Sequence, residues 1–444
     1  MTAWDAEVDV AVVGGGACGV MTALRAARDP SLTVAVFEKS TREGCNAAIS
    51  SGSLAAGGTR WQAAAGIEDS PERHAEDILR ASGDEEWRPV VEALCTAAPE
   101  MVHWIADTGY PIELGTDMPR AGMTARRLHT DTGRQGGARL MRHLRALLER
   151  RDNIAFVDEA PVTDLLGDVT GIVVSQNGSV QRIRAGAVVL AADGFAGNHA
   201  LLKEHLPHLG TPFYGGVSTS TGDALGWALR LGAQPRNMGA ALRSGLVVVD
   251  HGTRVSPALP FNGAVLVNLH GERFVDEESK GYSSMAGVLR HQPGERAAMI
   301  WDATAMAATR ESEMMRECLA AGAIHDRPTI EALAASLHRT PQQTEKALTP
   351  LPGRRHLTAP YHLAWVTHGL LATQGGLVID PSGRVLTATG DPIPGLYAGG
   401  GTACGLAGAH SDGYLSGNGL LSAFGMGWLV GNDLATGHGR RRAP

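Results

Sequence analysis

Paired cysteines, an excess of positive charge and long apolar runs are all missing from this 444-residue chain, and each absence removes a class of function. The five cysteines, Cys18, Cys45, Cys95, Cys318 and Cys404, are scattered. No Cys-x-x-Cys occurs, so zinc, haem attachment and iron–sulfur ligation have no motif, and a reducing cytoplasm is the expected compartment. Nor is there a paired His/acid spacing of the zinc type, so no metal site is expected. The net charge of −7 leaves no concentrated Lys/Arg face, which phosphate binding requires, and nucleic acid is not an expected partner. The one basic run, Arg440-Arg441-Arg442, reads as a solvated tail. No stretch reaches the roughly 18 apolar residues of a membrane span, and the N-terminus has neither the basic start nor the apolar core of a secretion signal. Lysine is scarce beside arginine, a bias expected of a GC-rich bacterial source.

What the chain has in plenty is glycine, 57 residues, with 43% hydrophobic and 19% charged residues overall. That balance fits an α/β enzyme with many tight turns, long enough for two or three domains. Residues 8–13 form a β-branched apolar run broken only by Asp9, the pattern of a buried parallel strand. A helix is predicted over 17–28, ended by Asp29-Pro30, and a second buried strand over 33–37 has Glu38 at its end. Together they make a βαβ unit. Helical spacing returns over 90–105 and 138–148, and short strands over 154–157, 172–174 and 187–192. From about 205 the character changes. Strands over 246–249 and 265–267 precede helices over 295–307 and 330–348, the second broken near Pro341. Pro350-Leu-Pro-Gly-Arg-Arg355 reads as a boundary, after which the α/β pattern resumes and closes in a Gly- and Ala-rich helix over 417–435.

Between the first strand and first helix lies Gly14-Gly-Gly16-Ala17-Cys-Gly19. The first glycine of such a loop allows the tight turn, the second lets the backbone approach a pyrophosphate, and the third lets helix and strand pack closely. Glu38, about 20 residues further on, is placed to accept hydrogen bonds from ribose hydroxyls. The constellation predicts a dinucleotide pocket, and the loop alone serves NAD and FAD equally.

Further segments follow in order along nearly the whole chain: Gly44-Cys-Asn-Ala-Ala-Ile-Ser-Ser-Gly52, Ala191-Ala-Asp-Gly-Phe-Ala-Gly-Asn198, Thr221-Gly-Asp223, Asn262-Gly-Ala-Val-Leu-Val-Asn-Leu-His-Gly-Glu-Arg-Phe-Val-Asp-Glu277, Thr373-Gln-Gly-Gly-Leu-Val-Ile-Asp380, Pro394-Gly-Leu-Tyr-Ala-Gly-Gly400 and Leu415-Ser-Gly-Asn418. With them the chain resembles the flavoprotein superfamily of fumarate reductase, succinate dehydrogenase, tricarballylate dehydrogenase and 3-ketosteroid dehydrogenase. The resemblance implies FAD as cofactor and an α/β fold, with a Rossmann-like FAD-binding domain split over 1–204 and 356–444 and an inserted α+β substrate-capping domain over 205–355. It implies cofactor contacts at Gly14, Gly16, Ala17, Gly19, Glu38, Lys39, Asn46, Gly52, Val162, Asp193, Asp223, Gly400, Gly401, Asn418, Leu420 and Leu421. The final helix would aim its N-terminus at the flavin pyrimidine, where reduced flavin carries negative charge. No histidine occurs over 46–52, where some members attach FAD covalently, so non-covalent FAD is expected.

At the substrate side the chain departs from the fumarate reductases, which hold a dicarboxylate with His and Arg. The corresponding positions carry Ala372 and Tyr414, the Glu and Arg of the proton relay fall on Pro257 and Pro260, and the acid Arg falls on Gly281 or Tyr282. Two tyrosines at these places are similar to 3-ketosteroid dehydrogenase. That likeness implies Tyr282 for proton transfer and Tyr414 for carbonyl polarisation, while a hydride passes between the adjacent carbon and flavin N5. Thr373, Arg243 and His129 are the further candidates for substrate binding. His368 and His410 lie in segments expected near the pocket, and Arg126 and Arg127 are carboxylate candidates beside Arg243. The expected substrate is a small carbonyl compound or carboxylate, with a separate electron acceptor or donor. The alternatives are a polycarboxylate dehydrogenase or reductase, an electron-transfer flavin subunit, and a flavin oxidase.

Overall fold

The computed structural model describes residues 4–115, 119–132, 136–210 and 212–437, so the basic run at 440–442 lies outside it. The chain forms two compact units: Met1–Gly210 with Gly216–Ala241 and Ala372–Pro444, and Thr211–Gly215 with Leu242–Leu371. The inserted unit thus differs from the expected 205–355. It takes in residues 361–371, because these make up most of its longest strand, Tyr361–Thr373, and it leaves 216–241 to the first unit.

In the first unit a sheet runs in the order Arg384–Leu386, Pro392–Ala398, Ser179–Leu190, Ala6–Val13, Val34–Phe37, Ile154–Val157. The last five are mutually parallel, and Val13 pairs with both Phe37 and Leu190. The first strand is buried over its second half, which suits the apolar run in the sequence. Because these strands end in step, the loops that follow them gather along one edge. Gly14 N donates to Phe37 O at 2.9 Å, Ala191 N to Val13 O at 2.9 Å and Gly399 N to Leu190 O at 3.1 Å. The carboxyl edge of a parallel sheet is where α/β proteins bind ligands.

Two helices of this unit pack against each other. The first, Ala17–Ala26, packs against the last, Asn418–Thr436, at contacts only glycine permits. A Cβ on Gly427 would stand 2.4 Å from Cys18 O, and one on Gly431 2.5 Å from Arg25 Cβ. Arg25 lies 3.6 Å from the centroid of the Trp428 ring and gives its Nε hydrogen bond to Asn432. A smaller antiparallel sheet joins Leu54–Ala55, Leu128–Asp131 and Ile112–Leu114.

In the second unit Arg296–Asp302 sits between Val265–Asn268 and Tyr361–Thr373. The sequence favoured a helix over 295–307, and the structure corrects it: a strand occupies 296–302, and the helix Ala303–Thr309 begins only after it. Ala297, Met299 and Trp301 enter one core cluster, while Ala298 and Ile300 enter another. A strand buried on both faces loses the alternation that would have marked it, and a short apolar run then reads equally well as helix. Asp302 makes the switch by accepting a hydrogen bond from Ala305 N as the helix N-cap. The predicted break near Pro341 is present, with helices Ile330–Leu337 and Pro341–Ala347 on either side.

Candidate active site

The glycine loop forms a cradle whose walls are fixed by backbone. A Cβ on Gly14 would lie 2.4 Å from Ala191 O, and one on Gly19 only 1.9 Å from Gly14 O. Gly14 also holds φ +104, a region L side chains avoid. At Gly16 the nearest atom to such a Cβ is Cys45 Cβ, 3.8 Å away. The middle glycine is therefore crowded by nothing in the protein, as expected where a ligand must approach. Gly16 also caps the first helix without a side-chain hydrogen bond, so the orphan N–H groups of that helix end face the loop. Glu38 stands beside them, its Oε2 accepting from Gly15 N at 2.6 Å and its Oε1 from Ser40 N at 2.8 Å.

The other cofactor candidates fall around this edge. Asn46 Nδ2 donates to Asp193 Oδ2 at 2.6 Å, Ser220 Oγ donates to the same oxygen at 2.6 Å, and Val217 N donates to Asn46 Oδ1 at 3.0 Å. Asp193 itself has φ +65, and its carbonyl accepts from Thr402 Oγ1. A Cβ on Gly401 would stand 2.3 Å from Asp193 Oδ1, which explains glycine there. Lys39 Nζ bonds Asp223 Oδ2 at 2.9 Å and Thr221 Oγ1 at 3.0 Å. Gly52, φ +69, is closely backed by the Gly136–Gly137 backbone. Val162 lies buried at the start of the strand Val162–Leu166, and Gly400 is buried beside the first helix near Cys18.

Asn418 opens the last helix, with Leu420 and Leu421 in its first turn. Its amide is 1% exposed, and neither Oδ1 nor Nδ2 has a partner among the described residues. Orphaned buried amide atoms are costly, and a hydrogen-bonding ring system such as flavin would satisfy them. The open Gly16 cradle and the Asn418 amide together fit FAD.

Tyr414 is buried, and its hydroxyl accepts from Gly419 N, in the first turn of the same helix, at 2.9 Å. Thr373 is buried as well, its Oγ1 accepting from Phe195 N at 3.1 Å. His129 has Nε2 2.8 Å from Thr59 Oγ1 and Nδ1 3.3 Å from Leu54 O, and burial pushes its pKa down to about 4. Its ring is neutral and held by the protein on both sides, which leaves it no nitrogen for a substrate. Arg127 is equally committed: Nε and Nη2 bond the two oxygens of Asp69 at 2.8 and 2.9 Å, and Nη1 bonds Asp77. His368 bonds Glu295 at 2.8 Å.

In the second unit Arg243 N bonds Ser283 Oγ, and Tyr282 opens the helix Tyr282–Arg290. The charged and polar groups acting on Arg254 include Tyr282, Glu317 and Cys318, and burial lowers its pKa. Sequence reasoning missed Arg254. It lies opposite Val247 across a tight antiparallel turn, and nothing in the local pattern marks it as different from a surface arginine. Among the described residues no cluster of His, Cys, Asp and Glu could hold a metal ion, and no helix is long and apolar enough to cross a membrane.

The family described as FAD binding domain matches residues 9–420. The chain belongs to it. FAD is accordingly its cofactor, and the protein is an FAD-dependent oxidoreductase of the dehydrogenase and reductase class. It is similar to the cytochrome-containing fumarate reductase of Shewanella frigidimarina, at 29% identity over 460 residues, 96% of this chain and 77% of that protein. Among solved structures it resembles the open conformation of a flavocytochrome c3 fumarate reductase, with TM-score 0.81, 25% identity, and coverage of 98% of this chain and 79% of that one. It also resembles 3-ketosteroid-Δ4-(5α)-dehydrogenase from Rhodococcus jostii RHA1 in complex with 4-androstene-3,17-dione, with TM-score 0.75, 26% identity, and 98% of both chains covered.

Proposed function

We propose that the protein catalyses dehydrogenation or ene-reduction of a carbon–carbon bond beside a carbonyl, with Tyr414 as hydrogen-bond donor to that carbonyl and Tyr282 as the proton-transfer residue. Bound FAD, held non-covalently since no histidine occurs over 46–52, supplies the hydride acceptor or donor. The observation that supports the reading best is the hydroxyl of Tyr414 fixed on the Gly419 amide, next to the orphaned Asn418 amide. A phenol that accepts from a backbone N–H is polarised into a better donor through its own O–H. A carbonyl that receives such a bond has more acidic neighbouring carbons, and a positioned proton acceptor then completes the acid–base pair.

Replacing Tyr414 by phenylalanine removes the donor, together with the acceptor of the Gly419 N–H, and keeps the ring. Turnover of a saturated ketone should fall about 100-fold or more, with the visible flavin spectrum unchanged; undiminished turnover removes the carbonyl-donor role. A second reading, a polycarboxylate as substrate, draws on the similarity to fumarate reductase and on the partly buried Arg254. Anaerobic titration with saturated ketones and with di- and tricarboxylic acids separates the two, because only a true donor bleaches the oxidised flavin band. A separate electron acceptor or donor closes the cycle in either case.

A further inference from the structure

We infer that Arg145 is a positioning residue of the FAD site: it clamps the carbonyl of Gly15 and adds a full positive charge to the loop that holds the anionic pyrophosphate. Three observations carry this. First, Arg145 Nη2 donates to Gly15 O at 3.1 Å. Gly15 N already donates to Glu38 Oε2 at 2.6 Å, so both polar groups of this one residue are tied, from opposite partners. Across a trans peptide the carbonyl of one residue and the N–H of the next point in opposite directions. Fixing the Gly15 carbonyl on the arginine therefore turns Gly16 N–H to the other side, at the residue where the cradle is open.

Second, Arg145 Nε is buried and has no hydrogen-bond partner among the described residues. An orphaned donor on a cation is costly to keep; the pyrophosphate, on the far side of the Gly15–Gly16 peptide, would offset that cost through its charge rather than through a hydrogen bond to Nε. Third, the guanidinium is gathered with the loop. Its carbon lies 5.7 Å from the centroid of the Phe156 ring, and that same ring is 2.7 Å from where a Cβ on Gly15 would stand. Arg145 acts electrostatically on Cys45, together with Asp193 and Glu38, and on Asp158. The helix Gly136–Leu148 delivers it there by burying Leu140, Met141, Leu144 and Leu148.

The glycines supply only backbone dipoles, whereas arginine supplies a charge, so its contribution is sensitive to salt. The test is titration of apoprotein with FAD, followed by flavin fluorescence at low and high ionic strength, for the parent, R145M and R145K. R145M should weaken binding ~10- to 100-fold, the range of a charge-assisted hydrogen bond, and flatten the salt dependence. R145K should recover the salt dependence and part of the affinity. Melting of the apoprotein should shift little in either. The inference is overturned if R145M binds FAD within twofold of the parent, or if R145K and R145M lose affinity equally while both keep the parental salt dependence. Should R145M not fold, R145Q takes its place under the same criteria.

Discussion

The loop at 14–19 and the strand Leu128–Asp131 both carried functional expectations, yet only the first looks in the structure as the sequence implied. In the loop the requirement is on the backbone: an added Cβ at Gly14 or Gly19 meets a carbonyl oxygen at 2.4 or 1.9 Å. Such a demand is satisfied by a residue type at a fixed spacing, and can be read from a few adjacent letters. The strand and the residue before it instead carry His129 and Arg127, whose work is decided by Thr59, Asp69 and Asp77, residues 50 to 70 positions away. A side chain that looks available for substrate is here consumed by the protein. A steric demand is written in the residue type itself, even where the crowding atom, such as Ala191 O behind Gly14, is far along the chain; an electrostatic commitment is written in the partner.

The strongest way to break the comparison lies within the loop itself. Gly19→Ala should prevent formation of the holoprotein, since overpacking against a backbone carbonyl costs on the order of 1–3 kcal/mol or more and has no side chain to push aside. Gly16→Ala should leave the apoprotein melting temperature nearly unchanged, because its Cβ meets only Cys45 at 3.8 Å, while FAD affinity drops at least tenfold. If both variants lose stability alike, the middle glycine is structural rather than a place of ligand approach.

Next in size is the buried cluster behind the strand. Asp69, Asp77 and Arg127 are each no more than 1% exposed at the side chain. R127M leaves Asp69 in the interior with no cation, while Asp77 keeps Arg80, and losing one partner of a buried pair costs about 3–5 kcal/mol. The urea midpoint of unfolding should fall accordingly; a loss below about 1 kcal/mol would show that water reaches the cluster.

Much of the first unit was legible: the βαβ start, the acid after the second strand and the closing helix all follow from short-range patterns, as does the broken helix at Pro341 in the second unit. The strand Arg296–Asp302 was not, because burial on both faces erased its alternation. Of the candidate site, the steric need for glycine at 14 and 19 was readable from the spacing. The partnerships were not: Asn46 with Ser220 and Val217, Arg145 with Gly15, and Arg254 near Tyr282 join residues distant in sequence, and no spacing rule reports them.

His129 gives the comparison a pH signature. Burial depresses its pKa to about 4 from the ordinary 6.5, so between those values the unfolded chain binds a proton that the folded protein refuses. Its contribution is fully present above pH 6.5 and is lost as pH falls toward 4, about 3 kcal/mol in all. Unfolding midpoints measured across this window should fall less steeply in H129Q than in the parent. Equal slopes would mean that His129 is protonated in the fold, and would return it to the candidates for an anionic substrate.

The smallest expected effect concerns Lys39 and Asp223, which the resemblance assigns to the cofactor. Their side chains are 37% and 45% exposed, and an ion pair that accessible contributes only about 0–1 kcal/mol to stability. Asp223 also begins the helix Asp223–Arg230, where a carboxylate gains a little from the helix field. D223N should therefore shift the thermal midpoint of the apoprotein barely at all. That near silence makes it informative, since any fall in FAD affinity cannot be charged to a damaged fold. A tenfold weaker FAD with unchanged melting places the pair in the cofactor site beside the glycine loop. Unchanged affinity makes it an ordinary surface pair, and shows that even in the legible half of the molecule a matched motif can mark structure alone.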